Sequence, residues 1–181
     1  MKRWFLMAGL AAVAAGCAEV TPGDYPKGWP AVVGLGPACQ GLAGTYKNAG
    51  MTNDPRTARN RLSDFILKNN DQGLGAGQDI RFTFGPDDGL TVDALRNDAV
   101  VDSVTLLRSE RGYSCENDGV KIRKAVTGAV AGYNSASRFL TKGSDGSLIV
   151  RDSFSMAGIW ILPPMPVVVD ATEWARFEAI K

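Results

Sequence analysis

Much of this chain alternates apolar and polar residues over short stretches that end at glycine, aspartate or asparagine. Ile80, Phe82 and Phe84 alternate with polar neighbours, and Val120 and Ile122 follow the same period. Because side chains of a strand point alternately to its two faces, this pattern predicts half-buried strands. The same reasoning places further strands at about residues 45–48, 101–107, 113–116, 136–141, 147–154 and 173–180.

One segment has helical periodicity instead. Leu62, Phe65 and Ile66 recur at helical spacing, Asp54 is a suitable N-cap, and Pro55 suits the first helical position. We therefore predict a single helix at about residues 55–68. Short strands with one early helix are typical of a mainly β (α+β) domain. We expect an antiparallel sheet curled into a small barrel or sandwich, formed by residues 39–181 as one domain.

The N-terminus has the features of an export signal. Lys2 and Arg3 precede an apolar run over residues 4–13, which ends in Ala14-Ala15-Gly16-Cys17. This arrangement resembles the lipobox of bacterial lipoproteins. The resemblance implies removal of residues 1–16 as a signal peptide, a lipid on Cys17 and attachment to the membrane through that lipid. With alanine at the next position, it also implies the outer membrane, with the domain facing the periplasm. The alternative is an ordinary signal peptide that leaves Cys17 as a free thiol.

Residues 17–38 are rich in proline and glycine, a composition that predicts an extended tether between the lipid and the domain. Tyr25 and Trp29 are unusual in a spacer. They either pack on the domain or lie at the membrane interface, and the sequence leaves both alternatives open.

The chain has three cysteines, an odd number for an exported protein. If Cys17 carries lipid, Cys39 and Cys115 remain as a pair, which we expect to form a disulfide in an oxidising compartment. We expect this bond to link the start of the first strand to a central strand.

Charge and composition exclude several functions. The 20 basic and 19 acidic residues nearly balance, and no basic patch indicates a nucleic-acid partner. Histidine is absent from the 181 residues, which removes Ser-His-Asp and Cys-His catalysis and histidine-ligated zinc. We therefore expect no enzyme activity, no cofactor and no metal site.

Three weaker signals remain. The glycine-rich run at residues 73–77 follows a helix rather than a strand, so it reads as a loop and not as a dinucleotide site. Oxygen-rich residues around it suit turns better than calcium, because the EF-hand spacing is missing. A carboxylate pair for glycoside cleavage is a further hypothesis. The residues considered for these last two sites are Asn69, Asn70, Asp71, Asp79, Asp87, Asp88, Glu110, Glu116 and Asp118.

The run from Cys39 to Gly50 resembles the Cys-x-x-Leu-x-Gly-Thr-Tyr-x-Asn-x-Gly opening of a group of proteobacterial lipoproteins. The resemblance implies the architecture and the cellular location only. It implies no activity, because none is assigned to that group. Residues 42–46 are also similar to the first strand of lipocalin-like barrels and of periplasmic protease-inhibitor barrels, although the latter have tryptophan in place of Tyr46.

These observations predict a non-enzymatic outer-membrane lipoprotein that binds an envelope protein or another envelope component. The alternatives are a lipocalin-like carrier of a small apolar ligand and, third, a carboxylate-dependent hydrolase. A closed apolar cavity would favour the carrier, and two carboxyl groups close together in a cleft would favour the hydrolase. A filled core with an exposed apolar patch would favour the interaction protein.

Overall fold

The computed structural model describes residues 25–36, 39–53, 60–66, 77–86, 88–110, 112–116, 118–123, 132–161 and 164–181. Over these residues the chain is mostly β and forms two antiparallel sheets, as the alternation predicts. The strands are β1 (Val32–Val33), β2 (Gly44–Lys47), β3 (Met51–Thr52), β4 (Asp79–Phe84), β5 (Gly89–Arg96), β6 (Ala99–Leu107), β7 (Tyr113–Glu116), β8 (Gly119–Arg123), β9 (Gly132–Gly143), β10 (Leu148–Ile161), β11 (Pro164–Phe177) and β12 (Ala179–Ile180).

A five-stranded sheet has the order β12-β2-β4-β5-β6, and a seven-stranded sheet has the order β3-β11-β10-β9-β8-β7, with β1 added beside β9. The sheets meet at one corner, where β2 continues into β3 and β11 continues into β12. Lys47 N–H donates to the Glu178 carbonyl at 2.9 Å across this corner. On the opposite side, β6 and β7 do not pair among the described residues, so the two sheets form an open sandwich and not a closed barrel.

Asn48 organises the corner. Its side-chain nitrogen donates to the Gly77 carbonyl at 2.8 Å, and its side-chain oxygen accepts the Ser63 N–H at 2.9 Å. Its backbone N–H donates to the Gln78 carbonyl at 2.9 Å, and its own carbonyl accepts the Leu62 N–H at 2.7 Å. One buried residue therefore joins both sheets to the helix.

The helix is α1 (Leu62–Ile66). The predicted helix began too early within the described residues, because Arg61 forms a β-bridge with Ala49. Asn48 supplies the acceptors for the first helical N–H groups, so the cap comes from a distant part of the chain and not from Asp54. Asp54, Pro55 and residues 67–68 lie outside the described residues.

The core lies between the two sheets and is filled by large side chains. Tyr46 and Phe82 contact edge to face with ring centroids 5.8 Å apart, and Phe65 of α1 meets Phe177 in the same way at 5.9 Å. A 3-10 helix (Gln40–Leu42) contributes Leu42, which is fully buried.

Two positions of the opening motif, Tyr46 and Gly50, have a clear structural role. The Tyr46 hydroxyl donates to the Leu42 carbonyl at 2.9 Å, and burial raises the pKa of Tyr46 to about 12. A Cβ atom at Gly50 would overlap the Phe177 ring and the Arg176 carbonyl. The motif therefore specifies the corner of this fold.

Two sequence predictions about the strands were incomplete. Strand β5 was not predicted, although Leu90, Val92 and Ala94 alternate with Thr91 and Asp93 before the register shift between Ala94 and Leu95. The seven-stranded sheet also includes β1, which lies within residues 17–38, the segment predicted to be an extended tether, and pairs with Gly143 and Lys142 of β9.

Candidate functional site

Two side-chain clusters lie on opposite faces of the seven-stranded sheet. The first is a row of charges on the inner face, formed by Arg138, Asp152 and Glu173, which we call the inner charged row. Asp152 of β10 lies directly opposite Arg138 of β9 and Glu173 of β11. The row lies next to core residues on each strand: Leu140 on β9, Val150 on β10 and Ala175 on β11.

The inner charged row contains a buried ion pair. Arg138 Nε lies 3.5 Å from Asp152 Oδ1, and the two residues are 3% and 7% exposed. Removing charges from water is costly unless they are paired, so Arg138 and Asp152 depend on each other. Asp152 and Glu173 are direct cross-strand neighbours, and directly opposite residues of adjacent strands have Cβ atoms about 4.5–5.5 Å apart.

Sequence reasoning missed this cluster. Asp152 keeps the phase of Leu148 and Val150, and Glu173 keeps the phase of Ala175 and Phe177. A charged residue at an inward position of an alternating strand was the available signal. Which charges meet depends on strand register, which the sequence does not state.

The carboxylates named from the sequence are not brought together. Asp88 lies 3.8 Å from Arg108, and Glu116 lies 3.5 Å from Lys121, all on the surface. Glu110 and Asp118 are exposed turn residues, and Asp87 lies outside the described residues. The two acidic residues that the register makes direct neighbours, Asp152 and Glu173, are not among those named from the sequence.

The calcium and glycine-loop signals fall mostly on residues 69–76, which lie outside the described residues. Asp79 forms an ion pair with Lys47 at 3.3 Å. Gly77 accepts a hydrogen bond from Asn48 and lies against Ala94, so its role is structural. Within the described ranges, no group of three or more His, Cys, Asp or Glu residues could hold a metal ion.

The second cluster, the outer aromatic row, lies on the other face of the sheet. Phe139, Arg151 and Trp174 are directly opposite one another on β9, β10 and β11. The Arg151 guanidinium lies over both rings, 5.2 Å from the Phe139 centroid and 5.7 Å from the Trp174 centroid. Such cation–π contacts favour a fixed position of the arginine.

The N-terminal segment covers this row. The Tyr25 ring meets Trp174 edge to face at 5.1 Å and Trp29 at 6.2 Å. The Tyr25 hydroxyl donates to the Pro30 carbonyl at 2.6 Å, and burial raises the pKa of Tyr25, although the charge of Arg176 opposes this shift. Of the two alternatives for Tyr25 and Trp29, the structure has the first: both belong to a segment that packs on the domain.

A neighbouring turn holds the same segment. Ser144 N–H donates to the Ala31 carbonyl at 2.8 Å, directly before Asp145. Burial disfavours the charged form of Asp145, but hydrogen bonds from Ser147 and Arg176 outweigh it and lower the pKa of Asp145. The ionised carboxylate thus keeps the turn and Arg176 in place beneath the N-terminal segment.

The aromatic residues of β10 and β11 divide between the two faces of the seven-stranded sheet. Phe177 is in the core, whereas Trp174 is buried on the outer face beneath Tyr25. Phe154 is half-buried; it lies on the same face of β10 as Asp152, two residues further along the strand. The side chains of Tyr133 and Trp160 lie outside the described residues.

Cys39 and Cys115 form a disulfide, with Cα atoms 5.7 Å apart. Cys115 lies on β7, an edge strand, and Cys39 precedes the 3-10 helix, so the expected link to a central strand was wrong. Cys17 lies outside the described residues, and its lipidation stays a prediction.

Among the described residues, no helix has the length and apolar character needed to cross a membrane. Comparisons with protein-family models, curated proteins and solved structures find no match for this chain.

Proposed function

We propose that this chain is a lipid-anchored, non-enzymatic envelope protein whose domain binds a protein partner on the periplasmic side of the outer membrane. The anchor is the lipid on Cys17 implied by the lipobox resemblance. The observation that carries the binding role is the free edge of the five-stranded sheet beside a filled core.

The free edge is β6. Strand β6 pairs with β5 on one side and has no paired strand on the other among the described residues. Val100 and Val101 are 50% and 45% exposed near its start. An edge strand presents unpaired N–H and C=O groups, and an extended segment of a partner protein can add to it as a further strand.

The filled core supports binding at the surface over transport of a ligand inside. Phe82, Leu90 and Val92 of the five-stranded sheet and Val120, Leu140 and Val150 of the other are buried in one continuous cluster. A lipocalin-like carrier would need this space for its ligand. In the inner charged row, the Arg138 guanidinium neutralises the Asp152 carboxylate, which supports a structural role for that row.

A photo-crosslinking amino acid at Val101 tests the partner role in intact cells. We expect reproducible adducts with one envelope protein at Val101, and none at Thr83, which is also exposed but lies on the central strand β4. Similar adducts at both positions, or none at either, would contradict a binding edge at β6. Endogenous lipid retained by the purified protein would favour the carrier instead.

A further inference from the structure

We propose that residues 25–34 form a detachable strap, which lifts from the outer face of the seven-stranded sheet while the rest of the domain stays folded. In the structure the strap is closed over the outer aromatic row, and lifting it uncovers that row. The release itself does not depend on the lipid on Cys17. Its consequence for the reach of the domain rests on the proposed anchor.

The closed strap crosses the outer face of the sheet. At its start, the Tyr25 ring lies on Trp174 of β11, with ring centroids 5.1 Å apart. Further along, Pro30 lies against Gly143 of β9, because a Cβ atom built on this glycine would come within 2.8 Å of the proline Cγ. The strap then pairs with β9 as strand β1. It therefore runs from β11 across the sheet to β9.

Apolar side chains are buried on this outer face. Ile149 of β10 lies between Leu148 and Val150, whose side chains belong to the core between the sheets. Because neighbouring side chains of a strand point to opposite faces, Ile149 points outward, as Trp174 does, and both are buried. Burial on an outer face requires a cover, and Tyr25 supplies it at Trp174. Removal of this apolar surface from water stabilises the closed state.

Hydrogen bonds hold the strap mainly near its C-terminal end. There β1 pairs with β9, and the Ser144 N–H donates to the Ala31 carbonyl at 2.8 Å. Near the start, the Tyr25 hydroxyl donates to the carbonyl of Pro30, which belongs to the strap itself. Of these bonds, opening therefore breaks those around β1 and keeps the one within the strap.

The polar groups of the outer face do not oppose opening. The Asp145 carboxylate accepts hydrogen bonds from Ser147 and Arg176, which belong to the sheet and its turn, so it keeps these partners when the strap lifts. Trp174 Nε1 is buried and has no acceptor among the described residues. Water reaches this N–H in the open state, which offsets part of the cost of exposing the ring.

Leu35 marks the end of the movable part. Its side chain is buried in the core, and its carbonyl accepts the Gly41 N–H at 3.4 Å. Val32 and Val33, by contrast, are 39% and 38% exposed. Cys39 follows shortly after and is tied to β7 by the disulfide. Lifting therefore proceeds from Tyr25 towards Leu35 and stops there.

The strap sets how far the domain reaches from the proposed lipid. When the strap is closed, the chain between Cys17 and the sheet ends at Tyr25, a separation of at most about 29 Å for a fully extended chain. When it is open, the free chain ends at Leu35, at most about 65 Å from Cys17. Opening thus roughly doubles the reach and uncovers the outer aromatic row at the same time.

Digestion by trypsin under native conditions measures how often the strap lifts. Lys27 is exposed, but a protease must bind an extended stretch of chain, so the bond after Lys27 is cut when the strap is open. If opening and closing are faster than cleavage, the rate reports the population of the open state. The test uses the full-length protein purified from cells, and mass spectrometry follows cleavage after Lys27 and after Arg81 of the central strand β4. We expect cleavage after Lys27 to be about 100-fold faster than after Arg81, yet about tenfold slower than in a synthetic peptide of residues 18–36.

Three variants test what holds the strap closed. Tyr25→Ala removes the ring that covers Trp174, so we expect cleavage after Lys27 to become about tenfold faster, with no change at the reference bond in β4. Tyr25→Phe keeps the ring and loses the hydroxyl, so its rate should lie between the two. Met51→Ala, which removes an exposed side chain from β3 of the same sheet, should not change cleavage after Lys27.

Hydrogen exchange at one amide tests whether the strap lifts as a unit. The Ser144 N–H loses its bond to Ala31 when the strap opens as far as β1. Tyr25→Ala should therefore speed exchange at Ser144 by about tenfold, and exchange at the Leu62 N–H, which bonds to Asn48, should stay the same. If Ser144 does not respond, the strap does not lift as a unit.

The outcomes separate the strap from the anchor. Equal cleavage after Lys27 and Arg81 would mean that the strap opens only when the domain unfolds, and cleavage at the rate of the peptide would mean that it is not closed in solution. Either result would overturn the strap. Mass spectrometry of the N-terminus reports the lipid on Cys17 independently, and the Cys17→Ser protein should give the same cleavage rates. The expected rates in a protein without lipid would support the strap and overturn the anchor.

Discussion

At the scale of single residues, several buried polar groups have a fixed partner that explains their presence. The Tyr46 hydroxyl lies in the core and donates to the Leu42 carbonyl. Asn48 satisfies four hydrogen bonds at the corner. Because an unsatisfied buried polar group costs more than a hydrogen bond contributes, these residues tolerate substitution poorly.

Tyr46 predicts a specific loss of stability in alkali. Its pKa is raised from 10.0 to about 12 in the folded protein, so the neutral form stabilises the fold below pH 10. This stabilisation, on the order of 3 kcal/mol, is lost as the pH rises from 10 through 12, because the unfolded state releases the proton first. Chemical unfolding at a series of pH values measures this loss.

The matched variant is Tyr46→Phe. It loses the hydrogen bond to Leu42, so we expect it to be less stable by about 1 kcal/mol at neutral pH. Between pH 10 and 12 its stability should fall less than that of the unchanged protein. An equal fall in both proteins would show that other groups, such as lysines, cause the alkaline loss.

At the scale of elements, the fold depends on joints between strands more than on the strands themselves. The β2–β3 corner, α1 and the loop before β4 all meet at Asn48. The helix has only five residues, too few to be stable alone, so its position depends on this joint.

We therefore predict that Asn48→Ala destabilises the whole domain. The change leaves the Ser63 N–H and the Gly77 carbonyl without their partner, and we expect a loss of about 2–4 kcal/mol in the free energy of unfolding. Urea unfolding measures it.

Asn60→Ala is the control, since Asn60 is exposed and its backbone carbonyl, which accepts from Gly50, is unchanged. We expect this control to change stability by less than about 0.5 kcal/mol. If the two variants unfold at the same urea concentration, Asn48 is not the joint described here.

At the scale of the whole molecule, the two sheets are joined at one corner and open on the other side. The Cys39–Cys115 disulfide acts near this open side, because it ties the segment before the 3-10 helix to edge strand β7. It spans a sequence separation of 76, so it restricts the unfolded chain strongly. The chain-entropy model gives about 4.5 kcal/mol as an upper value for this effect.

Reduction should therefore lower the melting temperature by up to roughly 10–18 °C. Differential scanning calorimetry with and without reductant measures the change. The double variant Cys39→Ser with Cys115→Ser should melt at the lower temperature and should not respond to reductant. An unchanged melting temperature on reduction of the natural protein would contradict the stabilising role of the bond.

Local sequence was sufficient for most strands. The alternation around Ile80 and Val120 predicted β4 and β8, because the pleat of a strand sends neighbouring side chains to opposite faces whatever strand lies beside it. It did not locate the start of α1, where the N–H groups of Leu62 and Ser63 bond to Asn48. There a contact distant in sequence outweighed the local preference for an N-cap at Asp54.

By itself, the sequence determined the class of fold and the period of the strands, and it predicts the address through the segment that ends at Cys17. Only the tertiary structure decided which faces are covered. Trp174 reads as a core residue, yet it is buried on the outer face because Tyr25 packs on it from a segment that composition alone presents as a spacer. Tertiary structure also decided that Arg138 and Asp152 become neighbours. Strand register, which is set by pairing between residues distant in sequence, determines which side chains lie opposite each other.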